Sequence, residues 1–304
     1  MARKKLINFN IDKLKVCYHQ PQELFDEFAQ YPQKKTIYRD GYDLYIVPDE
    51  DDRHIRLSVS VGGVRLGILT LNNTKQCEGL CFFRFENRAC YFNFDKQALY
   101  DVLTMDVATG QKYNLINVWE SIADDLGLVF NNITELEIAC DTNFNLSAKV
   151  RKMIKDYQNY EMFCNGKKIS DPNRIIENYH ETFARSRKRL QKYPTIYFEQ
   201  ARTDAPLLRI YNKSDEIEAN DNEKDYITEW NGFAPIYRTE VRIKSNSFKE
   251  FLKTYTPDAD YSSPLQMIQS PHFLFSAWQF FTDRLIFFRD MDGNDIHLSD
   301  LLGK

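Results

Sequence analysis

Three segments in the second half of the chain share one alternating pattern, and this pattern most constrains the fold. They cover residues 133–144, 207–213 and 235–248. Successive side chains of an extended chain point to opposite faces, so each segment places apolar residues on one face and charged residues on the other. Antiparallel sheets commonly pack one face against helices and leave the other face open. The pattern therefore predicts three strands of such a sheet with a shared charged face.

The charged face combines carboxylates, cations and one tyrosine. Carboxylate oxygens suit Mg²⁺ or Mn²⁺, and a divalent ion near a phosphate can neutralise developing charge. Tyrosine has an unperturbed pKa near ~10, so it becomes a nucleophile only where a cation stabilises the phenolate. These groups together suit phosphodiester cleavage through a phosphotyrosine. The alternative is a solvated sheet face on which Tyr211 is merely one of 18 tyrosines.

The rest of the chain predicts an α+β fold in which antiparallel sheets are backed by helices. Short alternating segments at residues 38–94 indicate strands, and helical spacing recurs at residues 22–30, 95–105, 114–126, 146–160, 248–255 and 264–288. Strands followed by helices occur twice, before and after about residue 110, which indicates two similar halves. We expect residues 1–110 to form a structural or DNA-recognition half and residues 111–304 a catalytic half with C-terminal helices. One sheet face is expected to stay open for DNA and the active site.

Several other classes of site are disfavoured. The chain has no P-loop, GxGxxG or GxSxG stretch, and its five histidines are dispersed. Its six cysteines are scattered, which favours buried thiols over a disulfide framework or a zinc site. No apolar run approaches the ~20 residues that a membrane span needs, so we expect a cytoplasmic protein without a membrane partner.

Charge is unevenly placed along a chain whose formal net charge is −4. Local basic runs can bind phosphates even when the remaining surface is acidic, because phosphate contacts depend on the local potential. The N-terminal lysines and a run at residues 183–192 are candidates for such contacts, and affinity for DNA should then fall with salt. The DNA-contact residues that we predict are Arg185, Arg187, Lys188, Arg189, Lys192 and Arg242.

The three segments also match a known family in their letters and order. In chain order the segments are TELEIACD, IYFEQARTDAPLLRIYNKSDE and YRTEVRIK. This order resembles the rolling-circle replication initiators of the replication-initiation-factor (Rep_trans) family, which also includes relaxases of some integrative and conjugative elements. The motif matches run from about residue 87 to residue 244, roughly half the chain, and RIYNK is the most specific. Two departures are Glu137, where the family more often has Asp, and Glu199, where many relatives have Gly.

The resemblance implies a role for each matched residue. Tyr211 would attack a DNA phosphate, leaving a 5′-phosphotyrosyl link and a free 3′-hydroxyl that a polymerase can extend. Glu137, Asp141 and Glu240 would hold a divalent metal, Mg²⁺ or Mn²⁺. The cations implied to contact the scissile phosphate or stabilise the phenolate are Arg209, Lys213 and Arg238.

The resemblance also implies partners, and more than one role fits it. The DNA partner would be an origin or transfer site, single-stranded or in a hairpin, and a host helicase and a second copy of the chain are further candidate partners. The same chemistry could serve a conjugative relaxase in place of a replication initiator. Two rival hypotheses are a non-catalytic DNA-binding protein with a degenerate site and a metal nuclease that uses activated water.

Overall fold

The computed structural model describes residues 4–49, 53–91, 115–170, 195–199, 204–219, 224–257, 260–261 and 263–303. Within these ranges the predicted α+β fold is confirmed: a large antiparallel sheet, a smaller sheet and helices are present. The predicted helix at residues 95–105, the predicted boundary between residues 110 and 111, and the basic run at residues 183–192 lie outside the described residues.

The strands form two sheets. The large sheet has ten strands in the spatial order β10-β11-β12-β7-β1-β6-β5-β4-β3-β2, and the smaller sheet has four in the order β14-β13-β8-β9. In chain order the strands are β1 (Ile7–His19), β2 (Thr36–Arg39), β3 (Tyr42–Val47), β4 (His54–Val61), β5 (Val64–Asn72), β6 (Leu80–Phe85), β7 (Val129–Thr142), β8 (Tyr160–Cys164), β9 (Lys167–Lys168), β10 (Ile196–Glu199), β11 (Leu207–Asn212), β12 (Tyr237–Lys244), β13 (Ile286–Asp290) and β14 (Asp295–Ile296).

Six of the helices described below overlap the segments predicted from helical spacing, whereas those at residues 213–219, 225–231 and 298–303 were not predicted. In the first of them, for example, the buried residues Leu24, Phe25 and Phe28 lie on one face. In chain order the helices are α1 (Gln22–Ala29), α2 (Leu115–Asp125), α3 (Leu146–Lys155), α4 (Lys213–Ala219), α5 (Asp225–Asn231), α6 (Ser245–Leu252), α7 (Pro264–Met267), α8 (Pro271–Leu285) and α9 (Leu298–Gly303).

The chain divides into two compact units. Unit one comprises residues 1–11, 137–262 and 267–304, and unit two comprises residues 12–136 and 263–266. Unit one contains the strands β10, β11 and β12, the smaller sheet, and most of the helices that follow β7. Its longest described helix, α8, begins where the Ser270 side chain accepts a hydrogen bond from the Phe273 N–H at 3.3 Å, with Pro271 in the first turn.

Unit two is built around an antiparallel sheet with one strongly apolar face. The Trp119 ring of α2 stacks on Phe83 of β6, with centroids 3.4 Å apart, and its Nε1–H donates to Tyr18 Oη at 2.8 Å. Gly67 allows β5 to approach β6, since a Cβ at this position would lie 2.3 Å from the carbonyl oxygen of Arg84. This packing leaves the opposite face of the sheet outside the apolar core.

Three local predictions differ from the structure. The strand that contains Tyr211 ends at Asn212, and α4 begins at the next residue. The Asn212 side-chain oxygen accepts a hydrogen bond from the Ser214 N–H at 3.1 Å, which stabilises the start of the helix. The helix predicted to end at residue 160 ends at Lys155, and residues 160–164 form β8. The aromatic helix predicted to reach residue 288 ends at Leu285, since Phe287 belongs to β13 and stacks on Phe163 of β8.

Two expectations about the whole chain can be compared with the structure. All six cysteines are free, and four of them are buried, as expected of structural thiols. Among the residues that the structure describes, no helix is both long enough and apolar enough to span a bilayer.

Candidate active site

The pairing of β11 with β12 brings the predicted tyrosine and glutamate to one face of the sheet. Tyr211 lies directly opposite Arg238, and Arg209 lies directly opposite Glu240. Residues directly opposite one another on neighbouring antiparallel strands share a face, so all four side chains project to the same side. Leu208 and Ile210 lie on the other side and are buried. The alternation predicted from the sequence is therefore the one that builds this site.

A chain of hydrogen bonds links Tyr211 to the acidic strand. The Tyr211 hydroxyl donates to Glu240 Oε2 at 3.0 Å. The other oxygen of Glu240 accepts from the Arg209 guanidinium, which also donates to Glu137 Oε2 at 3.0 Å. Glu240 thus connects the candidate nucleophile with both a cation and a second carboxylate.

The face that carries these groups is buried, although we expected it to be open. Tyr211 is 7% exposed, Glu137 6% and Glu240 1%. Burying a charge is costly unless it is paired and hydrogen-bonded, and the Arg209 contacts provide that pairing. The side chain of Arg209 is 30% exposed, so the hydrogen-bonded chain meets solvent at this guanidinium.

A third carboxylate, which the sequence motifs did not identify, completes the acidic cluster. Asp12 follows Ile11 directly on β1, and ligand oxygens of Asp12, Glu137 and Glu240 all lie within 4.8 Å of one another. Asp12 is 5% exposed, and its Oδ1 accepts a hydrogen bond from the Tyr91 hydroxyl at 2.7 Å. The sequence signal for Asp12 is that Asn8, Asn10 and Asp12 place polar side chains on the same face of β1 that then becomes apolar.

The buried acidic cluster could bind a metal ion. Carboxylates this close repel one another unless cations lie among them, and Arg209 is one such cation. The donor set consists of hard oxygens, which suits Mg²⁺ or Mn²⁺ and does not suit a soft metal. Asp12, Glu137 and Glu240 are therefore the residues that fit a divalent ion in the described part of the chain.

Asp141, predicted as a metal ligand together with Glu137 and Glu240, forms an ion pair with Arg238. The Arg238 Nε and a terminal guanidinium nitrogen each donate to a different Asp141 oxygen at 2.7 Å, which is a bidentate pair. Asn231 of α5 donates to Asp141 Oδ2 at 2.9 Å. Arg238 is 0% exposed and Asp141 1%, so this is a fully buried ion pair next to Tyr211. It links β7, β12 and α5.

We expect Asp141→Asn to destabilise the protein strongly, by about 3–5 kcal/mol, because it removes the charge opposite the buried Arg238. The free energy of unfolding in urea measures this effect. The matched double variant Asp141→Leu with Arg238→Met should lose much less, since replacing both charges avoids an uncompensated buried ion. A stable Asp141→Asn protein with weakened Mn²⁺ binding would contradict this result and support the ligand role predicted from the sequence.

Lys213, predicted to assist the tyrosine, begins helix α4 and pairs with an acidic residue of that helix. Its Nζ lies 2.5 Å from Glu216 Oε2 and 5.7 Å from the centroid of the Tyr211 ring. Burial raises the pKa of Glu216, but Lys213 and Lys224 outweigh it and hold the pKa below its ordinary value. Lys213 therefore places positive charge beside the aromatic ring of Tyr211.

Two further side chains belong to this sheet face. Arg242 lies two residues beyond Glu240 on β12, and its buried Nε has no hydrogen-bond partner within the described residues. Tyr197 of β10 lies directly opposite Arg209, so a second tyrosine shares the face with Tyr211. The other predicted DNA contacts, residues 185–192, lie outside the described part of the chain.

Comparisons with known proteins add a distant structural likeness. No family model matches the chain, and no curated protein matches it. A solved structure of the rolling circle replication initiator protein from Geobacillus stearothermophilus is similar with 12% sequence identity and a TM-score of 0.35. The match covers 82% of this chain and 78% of that protein. The inference of function therefore rests on the site and on the sequence motifs.

Proposed function

We propose that this protein nicks and rejoins one DNA strand through a covalent 5′-phosphotyrosine on Tyr211, as a rolling-circle replication initiator. The observation that carries the proposal is the hydrogen bond between Tyr211 and Glu240, because Glu240 is also a member of the acidic cluster. The motif resemblance independently assigns the same two positions to the nucleophile and the metal site.

The proposed cleavage step uses groups that already lie together. The Tyr211 oxygen attacks the phosphorus, and the bond from phosphorus to the 3′-oxygen breaks. The attacking tyrosine must lose its proton, and the carboxylate of Glu240, 3.0 Å from the hydroxyl, accepts the hydrogen bond along which it leaves. The departing 3′-oxygen takes up a proton and becomes the free 3′-hydroxyl. Rejoining is the reverse attack of that hydroxyl on the phosphotyrosine.

Two arginines near Tyr211 are the groups proposed to contact the negatively charged phosphate. Arg209 is partly exposed and lies against two carboxylates, so it can turn toward a phosphate without leaving the site. Arg242 carries a buried guanidinium nitrogen with an unused donor, which suits a phosphate oxygen. A divalent ion bound by Asp12, Glu137 and Glu240 would neutralise negative charge that develops on the phosphate.

The proposal predicts a covalent protein-DNA adduct. The protein is incubated with Mn²⁺ and a supercoiled plasmid that carries the DNA flanking its own gene, and products are resolved after denaturation. We expect nicked circles with protein attached to the 5′ end, and digestion followed by mass spectrometry should place the DNA on the peptide that contains Tyr211. EDTA should prevent the reaction.

Different products would exclude this proposal. Nicked circles without attached protein would indicate a nuclease that uses activated water. A plasmid that is bound but never nicked would indicate a DNA-binding protein with a degenerate site.

A further inference from the structure

The sheet of unit two has a half-exposed face that carries both cations and aromatic rings. Residues 14 and 16 of β1 point into the apolar core, so the intervening Lys15 points to the other side. We call this side the basic-aromatic face, and it is defined by Lys15, Tyr45, Arg56, Phe82 and Arg84. Cys17 and Ile68 lie on the same side and are buried, so the face is exposed only in part.

The strand register arranges these side chains in two parallel rows across the sheet. Lys15 lies opposite Arg84, and the same row continues over β5 and β4 to Tyr45 of β3. In the neighbouring row Phe82 lies opposite Thr70, and Thr70 lies opposite Arg56. With neighbouring strands about 4.8 Å apart, the row from Lys15 to Tyr45 spans roughly 19 Å. The face is therefore long enough for several nucleotides.

The pair Lys15 and Arg84 is electrostatically unfavourable in the protein alone. Like charges directly opposite one another on neighbouring strands destabilise a sheet. Burial lowers the pKa of Lys15, and the positive charge of Arg84 lowers it further. Within the described residues neither side chain forms an ion pair or a hydrogen bond. An anion placed between them would relieve the repulsion.

Two acidic groups near this face lie against cations, and a third, Asp43, lies on the face two residues before Tyr45. Glu135 lies 2.6 Å from Lys13, and Asp49 lies 3.9 Å from Arg56. Lys15 and Arg84 lie side by side at the β1 end of the face, and within the described residues no carboxylate pairs with them, so this end carries net positive charge. The ligand that complements it is polyanionic.

The rings specify which kind of polyanion fits. The Nζ of Lys15 lies 4.7 Å from the centroid of Phe82, so a cation and an aromatic ring form one surface. Tyr45 is 37% exposed, and Tyr38 on the edge strand β2 is 77% exposed. Exposed rings among cations stack on unpaired bases, whereas a double helix keeps its base faces covered.

We propose that the basic-aromatic face binds single-stranded DNA, with Lys15 and Arg84 contacting phosphates and Phe82 stacking on a base. The choice of DNA over RNA rests on the proposed function, in which DNA is the substrate. The face would hold a segment of the strand that the nicking reaction acts on or displaces. None of the residues that define it is assigned to the chemistry.

Binding can be measured without any nicking. The probe is a fluorescent oligothymidine of about 12 nucleotides, and anisotropy gives Kd between 50 and 200 mM salt on the full chain. For Lys15→Gln with Arg84→Gln we expect Kd to rise on the order of tenfold. The slope of the logarithm of affinity against the logarithm of salt concentration should become shallower by about 1.4, because each phosphate contact contributes about 0.7 to that slope on a single strand. Phe82→Leu should raise Kd about fivefold or more through lost stacking.

Matched controls separate this proposal from general charge effects and from the chemistry. Lys155→Gln with Lys167→Gln removes two exposed cations of unit one and should leave Kd unchanged. The Lys15 and Arg84 double variant should melt no lower than the wild type, because it removes a like-charge pair. Three results would overturn the proposal. The first is wild-type affinity for the oligothymidine in both face variants, and the second is a rise in Kd no larger than that of the lysine control. The third is competition by polyglutamate or RNA as strong as that by single-stranded DNA. A protein that fails to nick DNA yet shows the expected binding losses would overturn the proposed function alone.

Discussion

Tyr211→Phe is expected to abolish the covalent protein-DNA adduct completely while leaving DNA binding intact. The substitution removes a single oxygen, and that oxygen is the atom proposed to form the bond to phosphorus. The variant also loses the hydrogen bond to Glu240, which is worth about 1.5–3 kcal/mol for a charged acceptor. Because Arg209 still contacts Glu240, we expect the variant to fold. Denaturing electrophoresis of labelled DNA measures the adduct, and anisotropy measures binding.

Tyr197→Phe is the matched control for this prediction. Tyr197 lies on the same sheet face, opposite Arg209, but Glu240 accepts its hydrogen bond from Tyr211. We therefore expect Tyr197→Phe to form the adduct at the wild-type level. Loss of the adduct in Tyr197→Phe and its retention in Tyr211→Phe would mean that the neighbouring strand supplies the nucleophile.

Glu137→Gln is expected to weaken Mn²⁺ binding by at least about tenfold and to reduce nicking in parallel. Even residues that only hydrogen-bond to metal ligands typically change metal affinity by about 10–100-fold when they are substituted. Glutamine keeps the size of the side chain and removes its charge. Glu137 is the more informative choice than Glu240, because Glu240 also bonds Tyr211 and would alter both functions at once. Titration calorimetry with Mn²⁺ measures affinity directly, without requiring a DNA substrate.

Glu135→Gln provides the control within the same strand. Glu135 belongs to the same acidic run, two residues before Glu137, but it pairs with Lys13 at 2.6 Å. We expect this variant to bind Mn²⁺ as the wild type does. If Glu135→Gln and Glu137→Gln weakened Mn²⁺ binding equally, the ion would be attracted by the total negative charge of the strand. Glu137 would then not be a specific ligand.

Alternation in the sequence was sufficient to predict the strands that carry the site. The pattern around Tyr211, Glu137 and Glu240 placed these residues on charged strand faces. The register of β11 and β12 brings Tyr211 to Glu240, and Arg209 connects Glu240 with Glu137 of β7. The reason is local: in an extended chain, the side of the sheet to which a residue points follows from its position alone.

Further features depended on which residues meet across the sheet, and the sequence could not supply them. Asp141 and Glu137 look equivalent on one strand, yet Asp141 pairs with Arg238 whereas Glu137 lies beside Glu240. Asp12 lies far away along the chain and joins Glu137 and Glu240 only through the order of the strands. Lys213 was expected to extend the strand, but Asn212 caps a helix at that point.

The sequence by itself determined the fold class, the side of the sheet that carries the charged residues, and the motif order on which the proposal for Tyr211 rests. Only the tertiary structure decided that this face is buried, that Glu240 connects Tyr211 with the acidic cluster, and that Lys15 faces Arg84 on a half-exposed sheet. The physical reason is that alternation is a property of one strand. Burial, ion pairing and metal-ligand distances depend on strand neighbours that are distant in the sequence.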